Sequence, residues 1–327
     1  MWKGMRQKVL YLILALFLIG SLASSCKRED GYQEPLNNPS EKQSVKENQK
    51  NENDVDRSEI VQAKDLDESD LNKEEVKAVE KGSDFNDSAQ DNLDLSEVLA
   101  KGANIEEIHE IVRVYPSGKV LDLTGVEKSI WETLFYAEEI AQDVKNRIVG
   151  KSYGENCDVP FEDLRYIRVL YQGFDELTHI GEMIVNTKIA EDVVSIFKEL
   201  FEQGYPIEKM VLVDEYDADD NASMADNNSS AFNYRNIDGS DNLSLHSYGL
   251  AIDINPKYNP YVKERNGKTV VLPENGLEYT DRNKDCPYYI KKGDICYEAF
   301  IKRGFTWGGD WKKTKDYQHF EMKKEDK

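Results

Sequence analysis

Residues Ser244 to Asn255, Ser-Leu-His-Ser-Tyr-Gly-Leu-Ala-Ile-Asp-Ile-Asn, place a carboxylate inside an apolar run, and this constrains the fold more than any other stretch. Leu250-Ala251-Ile252, bounded by Gly249, reads as a buried strand. Asp253 then sits on or beside a core strand, where a charge is costly unless it is paired or bound to a cation. A divalent metal shared with His246, seven positions earlier, meets that requirement, because imidazole and carboxylate are both ordinary zinc ligands. A third ligand has to come from elsewhere. The best source is Asp316-Tyr-Gln-His319-Phe-Glu321, near the C-terminal end of the sequence.

The chain has 327 residues, enough for one large or two small domains, and a formal charge of −21. That charge argues against a nucleic-acid partner, since phosphate binding needs a basic footprint. Four cysteines without a CxxC pair argue against a thiolate zinc site or a disulfide-dense scaffold. Cys286 and Cys296 are left either as free thiols or as one staple across a short loop.

Lys3, Arg6 and Lys8 precede an apolar run from Val9 to Gly20, closed by Ser-Leu-Ala-Ser-Ser-Cys26. This is the layout of a secretory signal. Its end resembles a bacterial lipobox, with Ala23 standing where Leu is more usual. The resemblance implies lipidation of Cys26 and a membrane-anchored lipoprotein on the outer face of the cytoplasmic membrane or in the cell envelope. Plain secretion and an uncleaved anchor are the alternatives. Lys27 to Glu97 then holds 21 acidic and 10 basic residues. With so little to bury, residues 27–95 are expected to be a disordered acidic stalk.

Ile105 to Val114 has helical spacing, and Ser129 to Ile148 predicts one long amphipathic helix. Leu164–Tyr171 and Gly181–Val185 read as strands. A helix bearing Ile189, Val193, Ile196, Phe197 and Leu200 is expected to be capped by Asn186 or Thr187. Met210–Val213 reads as a buried strand, and Asp214 to Gly239 as a loop too polar for core. A hairpin is expected around Asn266-Gly267, a short helix over Cys296–Arg303, and closing strands at Phe305–Trp307 and His319–Met322.

One constellation joins these pieces: Ser244-x-His246-x-x-Gly-x-Ala-x-Asp253, then Trp307-Gly-Gly-Asp310-Trp311, then Asp316-x-x-His319-Phe-Glu. It resembles the zinc D-alanyl-D-alanine carboxypeptidases and L-alanyl–D-glutamate endopeptidases, the VanY-type branch of the LAS metallopeptidases, over roughly Leu164 to Met322. The resemblance implies that His246, Asp253 and His319 hold Zn2+ and that Asp316 is the catalytic base. It further implies that Arg235 faces the substrate carbonyl, that Ser244 hydrogen-bonds substrate, and that Trp307 and Asp310 pack the site or orient His319. Each has a plainer rival. His246 can be a structural histidine, Asp253 a turn cap and Asp316 a solvated loop acid. Arg235 can pair with Asp214, Asp217, Asp219 or Asp220, and Trp307 and Trp311 can simply fill space. His109-Glu110 begins like a zincin helix, but no second histidine follows, so that mechanism is absent.

The expected architecture is α+β, with a small antiparallel sheet carrying the zinc site, flanked by helices and preceded by the acidic stalk. Its expected divisions are a signal over 1–26, the stalk over 27–95, a helical extension over 96–160 and a peptidase domain over 161–327. The expected partners are peptidoglycan stem peptides and, through the anchor, a membrane; the chain is expected to be monomeric. A wall-peptide-binding module that cuts nothing, and a structural zinc centre, are the competing readings.

Overall fold

A computed structural model of the chain describes residues 92–237, 240–265 and 267–324. The expected signal and Cys26, the acidic stretch up to residue 91, and Asn266 lie outside these residues. The architecture is α+β, built on three small sheets.

The largest sheet has five strands in the order β1-β2-β5-β4-β3. They are β1 (Asn92–Asp94), β2 (Val120–Asp122), β3 (Tyr136–Glu138), β4 (Leu164–Gln172) and β5 (Thr178–Asn186). β4 and β5 pair antiparallel along nine residues, and most of each strand is buried. Strands before and after residue 160 therefore share one sheet. Helices α1 (Leu95–Ala100) and α2 (Ile105–Val114) precede β2. Asn104 and Glu107 form a reciprocal capping box at the start of α2.

The long helix expected over 129–148 is instead three pieces. A short α3 (Lys128–Trp131) runs into a 3₁₀ turn, β3 follows, and α4 spans Gln142–Ile148. The apolar residues do face the core, with Leu134, Phe135, Ile140, Val144 and Ile148 buried. What broke the helix is the open edge of β4, where Tyr136–Glu138 gains a ladder against Tyr166–Arg168. Apolar spacing alone cannot report that competition.

Helix α5 (Ala190–Glu202) packs Val193, Ile196, Phe197 and Leu200 into the main core. Its N-cap is Ile189, without a side-chain cap bond, and Asn186 accepts from Lys188 N–H instead. The opposite face of the sheet is polar yet buried. Arg168, on β4, donates to the carbonyls of Val112 and Tyr115, satisfying acceptors that the end of α2 leaves open. Beside it Glu182 accepts both guanidinium nitrogens of Arg147 at 2.6 and 2.8 Å, and the Tyr166 hydroxyl at 2.5 Å. Burial alone would raise the Glu182 pKa, but the bonds and charge of Arg147 outweigh it and hold the carboxyl below its usual range. A depressed native pKa stabilises the fold at neutral pH, and that contribution is lost as pH falls through the native value. Glu182→Gln is therefore expected to cost about 1.5–3 kcal/mol at pH 7, the worth of charged hydrogen bonds. Denaturant titrations should show the gap from wild type narrowing toward pH 3; a gap independent of pH would contradict this assignment.

The polar segment after residue 213 is not the exposed loop expected. Asp214, Ser223, Asn227, Asn228 and Ser229 are buried. Their side chains replace a sheet ladder: Asn228 accepts from Val211 N–H and donates back to Val211 O, while Asp214 accepts from Ser152 N–H and Oγ. Met210–Val213 accordingly forms no strand. A 3₁₀ turn, Val213–Tyr216, leads to α6 (Asp220–Ala225).

Three irregular segments continue along β5 where β2 stops. Glu182 N–H donates to Met210 O, Phe232 N–H donates to Ile184 O, and Asn186 N–H donates to Gly249 O. Gly249 has φ +64°, and a Cβ there would fall 2.6 Å from the amide nitrogen of Asn186. The turn carrying His246 is thus seated directly on the main sheet.

The second sheet, β10-β7-β8, contains the expected hairpin of β7 (Tyr261–Arg265) and β8 (Lys268–Leu272), joined by β10 (Thr314–Asp316). The third, β6-β11-β9, joins β6 (Ala251–Asp253), β11 (His319–Glu321) and β9 (Thr306–Trp307), all antiparallel. Helix α7 (Ile295–Ile301) lies beneath it, with Phe300 stacked on Phe320 at 4.0 Å. Cys157, Cys286 and Cys296 are free thiols, so the staple left open from the sequence does not form.

Candidate metal centre and its cavity

Antiparallel register places Asp253 on β6 directly opposite His319 on β11. Directly opposed residues of a sheet project to the same side, so these two side chains meet without any loop to position them. His246 reaches them from the 3₁₀ turn Leu245–Tyr248, whose N-cap is Ser244. Leu250–Ile252 is buried, as the apolar run demanded.

The three groups close a small triangle. His246 Nε2 lies 3.2 Å from His319 Nδ1 and 3.2 Å from Asp253 Oδ2, and His319 Nδ1 lies 3.0 Å from Asp253 Oδ1. Ligands at about 2.0–2.1 Å from a tetrahedral centre stand roughly 3.3–3.4 Å apart, so the donor set fits one zinc-sized cation. The outer ring nitrogens are also engaged. His246 Nδ1 donates to Ala231 O at 2.6 Å, which leaves Nε2 as the electron-pair donor facing inward. His319 Nε2 lies 3.1 Å from Glu321 Oε2.

Electrostatics point to the same conclusion. Burial raises the pKa of Asp253, yet the neighbouring imidazoles override it and hold the carboxyl far below its usual range. Burial lowers the pKa of His319, but Asp253 and Glu321 push it up to about 10. The pair of carboxylates around His319 is arranged for positive charge, which a proton or a metal can supply.

Asp316, at the end of β10, opens into the same cavity of about 400 Å³ as the three groups above. It is buried, its Oδ1 has no hydrogen-bond partner, and burial with the Asp253 charge pushes its pKa to about 7 against the pull of the two histidines. A carboxyl poised near neutrality beside a candidate metal position can both accept and return a proton.

Residues 238–322 match a family model described as D-alanyl-D-alanine carboxypeptidase. The match covers about a quarter of the chain, and that segment is similar to this carboxypeptidase family. Over 79 residues the chain is also 33% identical to the peptidoglycan L-alanyl-D-glutamate endopeptidase CwlK of Bacillus subtilis (strain 168). That alignment spans 24% of this chain and 39% of the relative. No solved structure matches the chain.

The remaining sequence-predicted residues divide. Ser244 lines the cavity, its Oγ accepting the His246 amide at 3.3 Å. Arg235, just before the segment, lines it too. Its Nη2 is 2.6 Å from Asp220, the acidic-loop pairing that the sequence left open, and its buried Nε has no hydrogen-bond partner. Trp307 is structural, donating Nε1–H to Tyr317 O and packing edge-on against Tyr297. Asp310 is a correction. It pairs with Lys292 on the surface, because the 3₁₀ turn Gly308–Asp310 turns its carboxylate away, and Glu321 occupies the position beside His319 expected of it. Sequence reasoning missed Glu321, although an i, i+2 pair on a strand shares one face. Trp311, which the sequence offers as a space-filling residue, has its ring centre 5.4 Å from that of His319.

Gly308 explains the glycine pair. A Cβ there would fall 2.6 Å from Asp316 O, 2.8 Å from Asp316 Cβ and 3.3 Å from His319 Cβ. Gly308→Ala is expected to destabilise by about 1–3 kcal/mol through overpacking. Displacing Asp316 should also reduce turnover, by about 10²-fold for a 1 Å shift. Thermal melts and kcat on one preparation check both; unchanged kcat would mean that Asp316 needs no such positioning.

A larger cavity, about 830 Å³, lies at the polar face of the main sheet. Its charges are largely paired among themselves, Arg113 with Glu138 and Asp143, and Arg147 with Glu182 and Glu215. The other two histidines are structural. His109 bonds Thr133 Oγ1, and His179 bonds Gly118 O and Asp175. His246, Asp253 and His319 are the one group able to hold a metal among the described residues.

Proposed function

We propose that this chain is a zinc-dependent peptidase that hydrolyses amide bonds next to D-amino acids in peptidoglycan stem peptides. The bond is either that of a D,D-carboxypeptidase or that of an L-Ala–D-Glu endopeptidase. The observation that carries the reading is the closure of His246, Asp253 and His319 onto one point beside the buried, neutral-range carboxyl of Asp316. The family description and the name of the Bacillus subtilis relative supply the substrate class.

His246, Asp253 and His319 would hold the ion, whose chemistry when bound is Lewis-acid polarisation and acidification of water. Asp316 takes a proton from the attacking water and returns it to the leaving amine nitrogen. Arg235, steadied by Asp220, offers its unpartnered Nε–H to the carbonyl oxygen as negative charge develops there. Ser244, whose Oγ already accepts the His246 amide, keeps its own O–H to donate to substrate. We further propose export and tethering through Cys26, with the acidic stretch after it serving as a spacer.

Purified protein incubated with muropeptides, with and without a chelator, should release products whose masses identify the bond and whose formation stops with the chelator. Stoichiometric zinc without chelator-sensitive cleavage would instead identify a wall-peptide-binding module.

A further inference from the structure

The hairpin β7–β8 forms one wall of the catalytic cavity, and its register with β10 fixes which side chains look inward. Tyr261 pairs with Asp316 and Lys263 pairs with Thr314; on the other side Tyr261 pairs with Leu272. Alternation puts Tyr261 and Lys263 on the same face as Thr314, Asp316 and Leu272, and all five line the cavity.

Among the described residues, two cationic side chains of Lys or Arg line that cavity, Arg235 and Lys263. Arg235 is neutralised by Asp220 at 2.6 Å. Lys263 is exposed and has no ion pair or hydrogen bond to its ammonium among the described residues. It stands two residues along β7 from the Tyr261–Asp316 pair, about 7 Å at strand spacing. Its flexible stem lets a point charge sweep the space between. The cavity wall also carries the apolar or aromatic side chains of Leu243, Leu245, Leu272 and Trp311.

Resting on the peptidase reading above, we propose that Lys263 binds a free carboxylate on the substrate residue that follows the scissile bond. In a peptide held with its scissile carbonyl near Asp316, that carboxylate lies a few bonds farther on, within the sweep of the lysine. The site would then favour substrates whose residue after the cut keeps its α-carboxylate, and disfavour those in which it is a carboxamide. The alternative is that Lys263 merely offsets the acids of the cavity, Asp253, Asp316 and Glu321.

The test uses stem peptides in matched pairs, the residue after the scissile bond bearing either a carboxylate or a carboxamide. Hydrolysis is followed with zinc-loaded full chain, and affinity is measured by calorimetry on zinc-loaded Asp316→Asn. Wild type is expected to prefer the carboxylate by about tenfold or more, the scale of a charge-assisted hydrogen bond. Lys263→Ala should abolish the preference through KM and Kd, and Lys263→Arg should restore most of it. Equal loss on both peptides, or a preference that survives Lys263→Ala, overturns the assignment. If nothing is cut, the peptidase reading fails alone, because calorimetry still reads the carboxylate preference.

Discussion

Asp316→Asn is expected to lower kcat by about 10²–10⁴-fold, the range contributed by a positioned proton-transfer group, while zinc content stays stoichiometric. The substitution keeps the size of the side chain and removes its ability to accept a proton. Asp316 is buried with an unpartnered oxygen and a pKa raised to about 7, so neutralising it should not destabilise the fold. Metal analysis, melting temperature and single-turnover kinetics on one preparation separate the possibilities. Large loss of zinc would make Asp316 a ligand rather than a base. Unchanged kcat would remove it from the chemistry altogether.

A second large effect is expected at Asp253. Asp253→Ala removes the one carboxylate shared by both imidazoles, and the two histidines that remain do not make a closed site. Zinc should be lost on dialysis and turnover should fall to background. The metal-dependent rise in stability should vanish as well. For wild type at a free zinc concentration 1,000-fold above Kd that rise is about 4 kcal/mol. Melting with and without added zinc reads this directly, independently of any substrate. An Asp253→Ala protein that retains stoichiometric zinc and its stabilisation would refute the assignment of this residue as a ligand.

Much of the centre was legible because burial and charge conflict there in the sequence itself. A carboxylate after Leu-Ala-Ile demands a partner, and His246 and His319 are the partners found. Asp310 is near His319 in the motif but not in space, and the neighbour of His319 is Glu321, two residues further along its own strand. The polar segment around Asn227 and Asn228 misled for another reason. Side-chain amides can stand in for a strand ladder, so polarity did not mean exposure. Residues 129–148 are not legible from spacing, because one apolar spacing serves a helix and also serves a helix broken by an edge strand.

The seating of the His246 turn bears on what can be cut away. The ring is aimed by the carbonyl of Ala231, and the loop beneath it rests on Asn186, both upstream of the stretch shared with known peptidases. A fragment starting at residue 238 would carry every proposed ligand yet lose the floor that aims one of them. The matched quarter of the chain is a tenant of the scaffold that precedes it, and minimal versions of this protein should begin ahead of β5.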